Sequence, residues 1–225
     1  MTIEVTNLCN LKCRYCWSRA SKLTESRVLS TEIIANVVGF CKRYGITTVD
    51  LTGGGELTMA PNWQSVCLDF LDNGISLNVT TNLAKPLSRE DFDILSRFSG
   101  ICISLDSVDK QALANTRVGS DITLILYNLI RLRAAAVKLN RNQPKIGFTA
   151  VLSAETAPFF CDLASTVVAL DAERFHVIDL VVDKRLENNV SPVWVLKDQA
   201  AESAKNAITH GLALVRSSPT KLIIQ

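Results

Sequence analysis

The sequence predicts an α/β domain on a parallel sheet, and three observations point there. Short β-rich runs alternate with longer helical patterns, giving six βα units in order. The 225 residues, 48% hydrophobic and 20% charged, are enough for one compact domain with a large core and too few for two ordinary ones. No internal repeat, low-complexity tract or Gly/Ser linker interrupts the pattern. Periodicity alone leaves a doubly wound sheet and a complete or partial barrel equally open.

The expected strands cover residues 3–6, 47–52, 75–80, 100–105, 145–152 and 174–182. Between the first two, Ser30 can cap a helix whose apolar positions Ile33, Ile34, Val37, Val38 and Cys41 recur at helical spacing, and Gly45 can end it. Pro61 opens the next helix, with Trp63, Val66, Cys67, Phe70 and Leu71 inward and Gly74 as its stop. Ser88 with Asp91 marks a third helix start, 122–139 a fourth helix and 155–170 a fifth. Residues 187–192 read as a polar loop, 197–217 as a last helix and 221–225 as a short strand. The expected division is a core over 1–196, followed by 197–225, which either closes that core or begins an extension.

Twenty-four Lys plus Arg against 22 Asp plus Glu leave a formal charge of +2, with no basic run, so nucleic acid is not an expected partner. No apolar run approaches the roughly 18 residues of a membrane span, and the first residues lack the pattern of a secretion signal. A soluble, cytoplasmic protein without a membrane partner is expected. Seven cysteines is an odd number, and three fall between positions 9 and 16, which is not a disulfide framework.

Those three form Cys9-x3-Cys13-x2-Cys16 directly after the first strand. Thiolates at that spacing on a loop suit an iron-sulfur cluster, in which each iron takes one protein sulfur, and three ligands on four irons leave one iron open. Structural zinc usually needs a second cysteine pair or a histidine pair, whereas His176 and His210 are isolated. Buried structural cysteines favour apolar surroundings, and this loop carries Lys12 and Arg14. Strand two runs into Gly53-Gly54-Gly55-Glu56, either a plain glycine-rich turn or a place where backbone approaches a ligand at the carboxyl end of a parallel strand. Strand three ends Asn78-Val79-Thr80-Thr81-Asn82, with Asn78, Thr80 and Asn82 on one face. In strand four Ile101, Ile103 and Leu105 face one way, and Cys102, Ser104 and Asp106 the other. Asp106 either serves a ligand or caps the next helix.

At these residues the chain resembles the radical S-adenosylmethionine (radical SAM) superfamily. Cys9, Cys13, Tyr15 and Cys16 match its C-x3-C-x-aromatic-C motif, and Gly54, Gly55 and Glu56 match its GGE triplet. Leu57 stands where the family often has Pro, and Leu83 where a Thr-Asn-Gly would place Gly. Ser104, Asp106, Arg117 and Gly119 resemble the strand-four region of peptide-modifying and sulfatase-maturing members, with Ser107 in place of the usual Gly. The resemblance implies a partial (β/α)6 parallel barrel, open on one side, to which the short strand read over 221–225 can add as an extra C-terminal strand. It implies a [4Fe-4S] cluster on Cys9, Cys13 and Cys16, and SAM held by Tyr15, Gly54, Gly55, Glu56, Thr80, Asn82, Ser104, Asp106 and Arg117.

The implied activity is reductive cleavage of SAM to a 5'-deoxyadenosyl radical that takes hydrogen from a substrate, with an electron from a flavodoxin or ferredoxin. The strand-four resemblance favours a peptide or protein side chain, with a separate recognition protein as a further partner. Two alternatives stand beside it: a small-molecule substrate, or a non-catalytic iron-sulfur carrier or sensor. No catalytic acid or base is assigned; His176 reads as a satisfied core or rim histidine, and Cys41, Cys67, Cys102 and Cys161 as small apolar side chains.

Overall fold

The computed structural model describes residues 1–20, 25–183, 185–186 and 190–225; within the expected polar loop, 187–189 lie outside the described residues. In chain order the elements are β1 (Thr2–Ile3), β2 (Lys12–Cys13), α1 (Trp17–Ala20), α2 (Thr31–Tyr44), β3 (Thr48–Leu51), α3 (Trp63–Asp72), β4 (Ser76–Thr81), α4 (Arg89–Leu95) and β5 (Gly100–Ser104). They continue with α5 (Lys110–Thr116), β6 (Arg117–Val118), α6 (Ile122–Lys138), β7 (Lys145–Leu152), α7 (Phe160–Ala169), β8 (Arg174–Asp179), α8 (Asp198–Arg216) and β9 (Lys221–Ile224).

Local chemistry sets many of these boundaries. The Ser30 hydroxyl accepts from the Ile33 N–H at the start of α2, and Gly45 ends that helix at φ 66°, a left-handed conformation that glycine adopts without a Cβ clash. Ser88 and Asp91 close a reciprocal capping box on α4. The expected helix over 155–170 begins later, at Phe160, because residues 153–159 are spent on a Ser153–Thr156 turn and a single 3-10 turn containing Pro158. Strand β1 is also shorter than expected: Thr6 bridges antiparallel to Val28, and the Val5 carbonyl accepts from Leu29 N–H.

The strand order is β1-β3-β4-β5-β7-β8-β9, an open α/β sheet, parallel at β1–β3, β3–β4, β7–β8 and β8–β9; β2 and β6 form a separate antiparallel ribbon. That is the partial parallel barrel with an added C-terminal strand. The chain divides into two compact units.

The first unit comprises 1–10, 22–102 and 123–145. Alternation in β4 buries Leu77 and Val79 and leaves Ser76, Asn78 and Thr80 half-buried. Val49 and Leu51 of β3 join the apolar side, with Ile34 and Val38 of α2 and Val66 and Phe70 of α3 also in the core. The second unit comprises 11–21, 103–122 and 146–225. Here α7 packs on α8 so closely that a Cβ on Gly211 would stand 2.7 Å from the Phe160 ring, which itself stacks on Phe175 of β8. His176 is half-buried, and its Nε2 is buried with no hydrogen-bond partner among the described residues, which differs from the satisfied histidine expected.

Candidate functional site

In the first unit, the turn after β3 grips the segment that leads to the first cysteine. A Cβ on Gly55 would lie 2.2 Å from the Thr6 carbonyl oxygen and 2.7 Å from that of Leu8, so only glycine allows this approach. The next N–H, of Glu56, donates to the Leu8 carbonyl at 2.7 Å. The Glu56 carboxylate is 3% exposed. It accepts from the Thr81 hydroxyl and the Asn82 N–H, both at 2.8 Å, and from the Thr58 hydroxyl at 3.2 Å. Burial raises the Glu56 pKa above the usual carboxylate value, and the donors from Asn82, Thr81 and Thr58 only partly offset it.

Asn82 carries this network outward. Its amide Nδ2 donates to Asn10 Oδ1 (2.9 Å) and approaches Cys9 Sγ at 3.8 Å, while its Oδ1 accepts from the Ala84 N–H. Leu83 then takes φ 50°. A left-handed turn there accounts for glycine being the family's habit, and Leu tolerates it because burying its side chain, worth ~1.5–3 kcal/mol, offsets a strain of ~1–2 kcal/mol. Sequence alternation chose Thr80, but Thr81 is the residue that touches Glu56. Thr80 instead lines a cleft with Glu4, Thr52, Gly53 and Gly55. Gly54 donates its N–H to Glu4 Oε2 at 2.7 Å.

In the second unit, the β2–β6 ribbon sets Cys13 opposite Arg117, and Arg14 N–H donates to the Thr116 carbonyl at 2.9 Å. From there the chain winds into α1 through Cys16 N–H to Cys13 O and Arg19 N–H to Cys16 O. Beneath the ribbon lies a buried ion pair: Arg117 Nη2 donates to Asp106 Oδ1 at 2.9 Å, with the side chains 9% and 0% exposed. The same Oδ1 accepts from Val151 N–H, and Oδ2 from the Tyr15 hydroxyl. The guanidinium also lies 5.6 Å from the Tyr15 ring centroid. Burial opposes the Arg117 charge, but Asp106, Tyr15 and Cys13 outweigh it and hold its pKa above the ordinary value. For Tyr15, burial is the largest cause of a raised pKa.

Asp106 is thus a hub for three donors and not a helix cap; α5 is capped by Asp109, whose side chain accepts from Ala112 N–H at 2.8 Å. The ribbon and α5 were not visible as periodic segments because neither exceeds seven residues. Ser104 ends β5 half-buried.

The Radical SAM superfamily domain matches residues 3–143. The chain belongs to the radical SAM superfamily. Over 147 residues it is 30% identical to the GTP 3',8-cyclase of Alkaliphilus oremlandii, covering 62% of this chain and 46% of that one. Its fold is similar to that of Streptococcus suis SuiB bound to S-adenosylmethionine: TM-score 0.76, 16% identity, 100% of this chain and 49% of SuiB. It is also similar to the methyltransferase TsrM of Kitasatospora setae with cobalamin and [4Fe-4S] cluster bound: TM-score 0.62, 15% identity, 78% of this chain and 36% of TsrM. This radical SAM chain spans less than half the length of each of these proteins.

The donor chemistry fits the family's cluster. Cys9 is exposed and Cys13 and Cys16 are half-buried, all three as thiols. Cys41 and Cys67, by contrast, are buried, and burial pushes both of their thiols up. Among the described residues no three His, Cys, Asp or Glu side chains converge to hold a single metal ion. A cluster does not require that, since each of its irons takes its own sulfur.

Proposed function

We propose that the protein is a radical SAM enzyme acting on a peptide or protein side chain. The observation that carries the radical SAM chemistry is the grip of Gly55 and Glu56 on residues 6–8, which fixes the start of the cysteine motif from the turn that bears the GGE triplet. Cys9, Cys13 and Cys16 would hold the [4Fe-4S] cluster. Tyr15, Gly54, Gly55, Glu56, Thr80, Asn82, Ser104, Asp106 and Arg117 would bind SAM or support those that do. When bound, these groups supply a 5'-deoxyadenosyl radical at the cost of one electron from a flavodoxin- or ferredoxin-type donor.

The protein's own residues supply position and shelter. Glu56 and Asn82 order the approach to Cys9, and the Asp106 hub fixes Tyr15 and the Cys13 strand. Ser104, Asp106 and Arg117 support the peptide reading through their likeness to peptide-modifying members. The GTP 3',8-cyclase relative favours a second reading, a small-molecule substrate. A separate recognition protein would serve the peptide reading.

The test is anaerobic: reconstitute with iron and sulfide, reduce with dithionite, add SAM and measure 5'-deoxyadenosine, with Cys13→Ala as control. Product that depends on Cys13 supports the proposal. A loaded cluster without product favours a carrier or sensor, and no cluster refutes the assignment of the cysteines.

A further inference from the structure

In the first unit, three successive carbonyls of the loop after β4 are each held by an asparagine amide. Asn128 of α6 gives both hydrogens of its Nδ2 to this loop, one to the Leu83 carbonyl at 2.9 Å and one to the Lys85 carbonyl at 2.8 Å. The Ala84 carbonyl between them accepts from Asn10 Nδ2 at 2.9 Å. Asn128 is fully buried on a helix whose other buried positions, Ile125, Leu129, Leu132, Ala135 and Ala136, are all apolar. Its Oδ1 has no hydrogen-bond partner among the described residues. An apolar side chain of the same size would pack there without that desolvated oxygen, so what the amide adds is its hold on two carbonyls.

The loop so held carries Asn82. Leu83 turns the chain at φ 50°, and the Ala84 N–H donates back to Asn82 Oδ1 at 2.8 Å. With its oxygen engaged the amide cannot flip, so its two hydrogens serve Asn10 Oδ1 at 2.9 Å and Cys9 Sγ at 3.8 Å. Asn10, Ala84 and Asn82 close a ring of three hydrogen bonds beside the first cysteine. Cys9 is exposed whereas Asn82 is buried, so the donor reaches the sulfur from the protein interior. An N–H aimed at a ligating sulfur favours the more negative, reduced state of an iron-sulfur cluster and raises its potential. We propose that Asn82 donates to the Cys9 sulfur so that the cluster accepts its single electron, from the flavodoxin- or ferredoxin-type donor, at a higher potential, and that Asn128 is the positioning residue that holds this donor in place. This rests on the cysteine assignment of the radical SAM reading above and gives two residues outside the cysteine motif control over reduction.

The experiment is an anaerobic potentiometric titration of the full chain, reconstituted with iron and sulfide and without SAM, with the reduced cluster followed by electron paramagnetic resonance. In Asn82→Ala the ratio of reduced to oxidised cluster at a fixed potential falls about tenfold, which is ~59 mV for a one-electron couple. In Asn128→Ala it falls at least about threefold, and adding that change to Asn82→Ala gives no further fall, because the donor it positions is already gone. Leu132→Ala opens the core beneath the same helix without removing a hydrogen bond to the loop, and leaves the ratio within about twofold of wild type. Asn82→Leu and Asn128→Leu, similar in shape but without donors, replace any alanine variant that fails to load iron. A ratio within about twofold of wild type at either asparagine, additive shifts in the double variant, a Leu132→Ala shift equal to that of Asn128→Ala, or loss of the cluster in every variant at either position overturns the proposal. Formation of 5'-deoxyadenosine on adding SAM to the wild type reports the radical reading. Its absence with the shifts intact sinks that reading alone, its presence with unshifted midpoints sinks this one alone, and a wild type that holds no cluster sinks both.

Discussion

Replacing Asp106 by Ala tests the most demanding piece of the second unit. The change strands the Arg117 guanidinium beneath the ribbon, where it is 9% exposed, and removes the acceptor of Val151 N–H and of the Tyr15 hydroxyl. Breaking a buried ion pair from one side costs ~3–5 kcal/mol, because the remaining charge stays desolvated. The stranded Val151 N–H, worth ~1–3 kcal/mol, places the loss at the upper end of that range. Urea unfolding followed by circular dichroism and tryptophan fluorescence reads it. With a slope of ~1–3 kcal/mol per molar, the midpoint falls by about 2 M. Asp106→Leu combined with Arg117→Met removes both charges and recovers most of the loss. A single Asp106→Ala loss below about 1 kcal/mol, or a double variant as unstable as the sum of its parts, would refute the ion-pair account.

Gly55→Ala forces a Cβ into the Thr6 and Leu8 carbonyls, so iron loading per chain falls markedly; Gly39→Ala, with nothing within 4 Å of its new Cβ in α2, leaves loading intact and stabilises by ~0.5–1 kcal/mol. Iron and sulfide analysis with thermal melts checks both. The folded pKa of Glu56 lies above its unfolded value, so its contribution is fully present below the unfolded pKa and is lost as pH rises through the folded one. Wild type therefore loses stability relative to Glu56→Gln as pH rises from the ordinary carboxylate pKa through the raised folded one, and parallel stability curves would show that Glu56 does not titrate differently on folding. Arg117→Lys keeps the charge but not the planar fork, so it retains part of the stability that Arg117→Met loses, as urea midpoints will show.

The cysteine loop, the GGE turn and the polar face of strand four were legible in the sequence because their chemistry needs particular residue types at short spacing. Cys9, Cys13 and Cys16 fall within eight residues, and glycine at position 55 is demanded by a backbone approach that no other residue permits. The helix bounds at Ser30, Gly45 and Ser88 were legible for the same reason, since a cap is a local hydrogen bond or a single backbone angle. The role of Thr81 was not, because alternation reports which face a residue occupies and not which buried group it meets. Nor was the role of Arg117: 11 residues separate it from Asp106, and only the fold decides that its charge is spent on that carboxylate beneath the β2–β6 ribbon. The sequence by itself determined the family and its cofactor-bearing motifs through local covalent spacing. Tertiary structure alone decided which donors meet Glu56 and Asp106 and which face gathers Glu4, Thr52 and Thr80, because those meetings depend on strand register between segments distant in the chain.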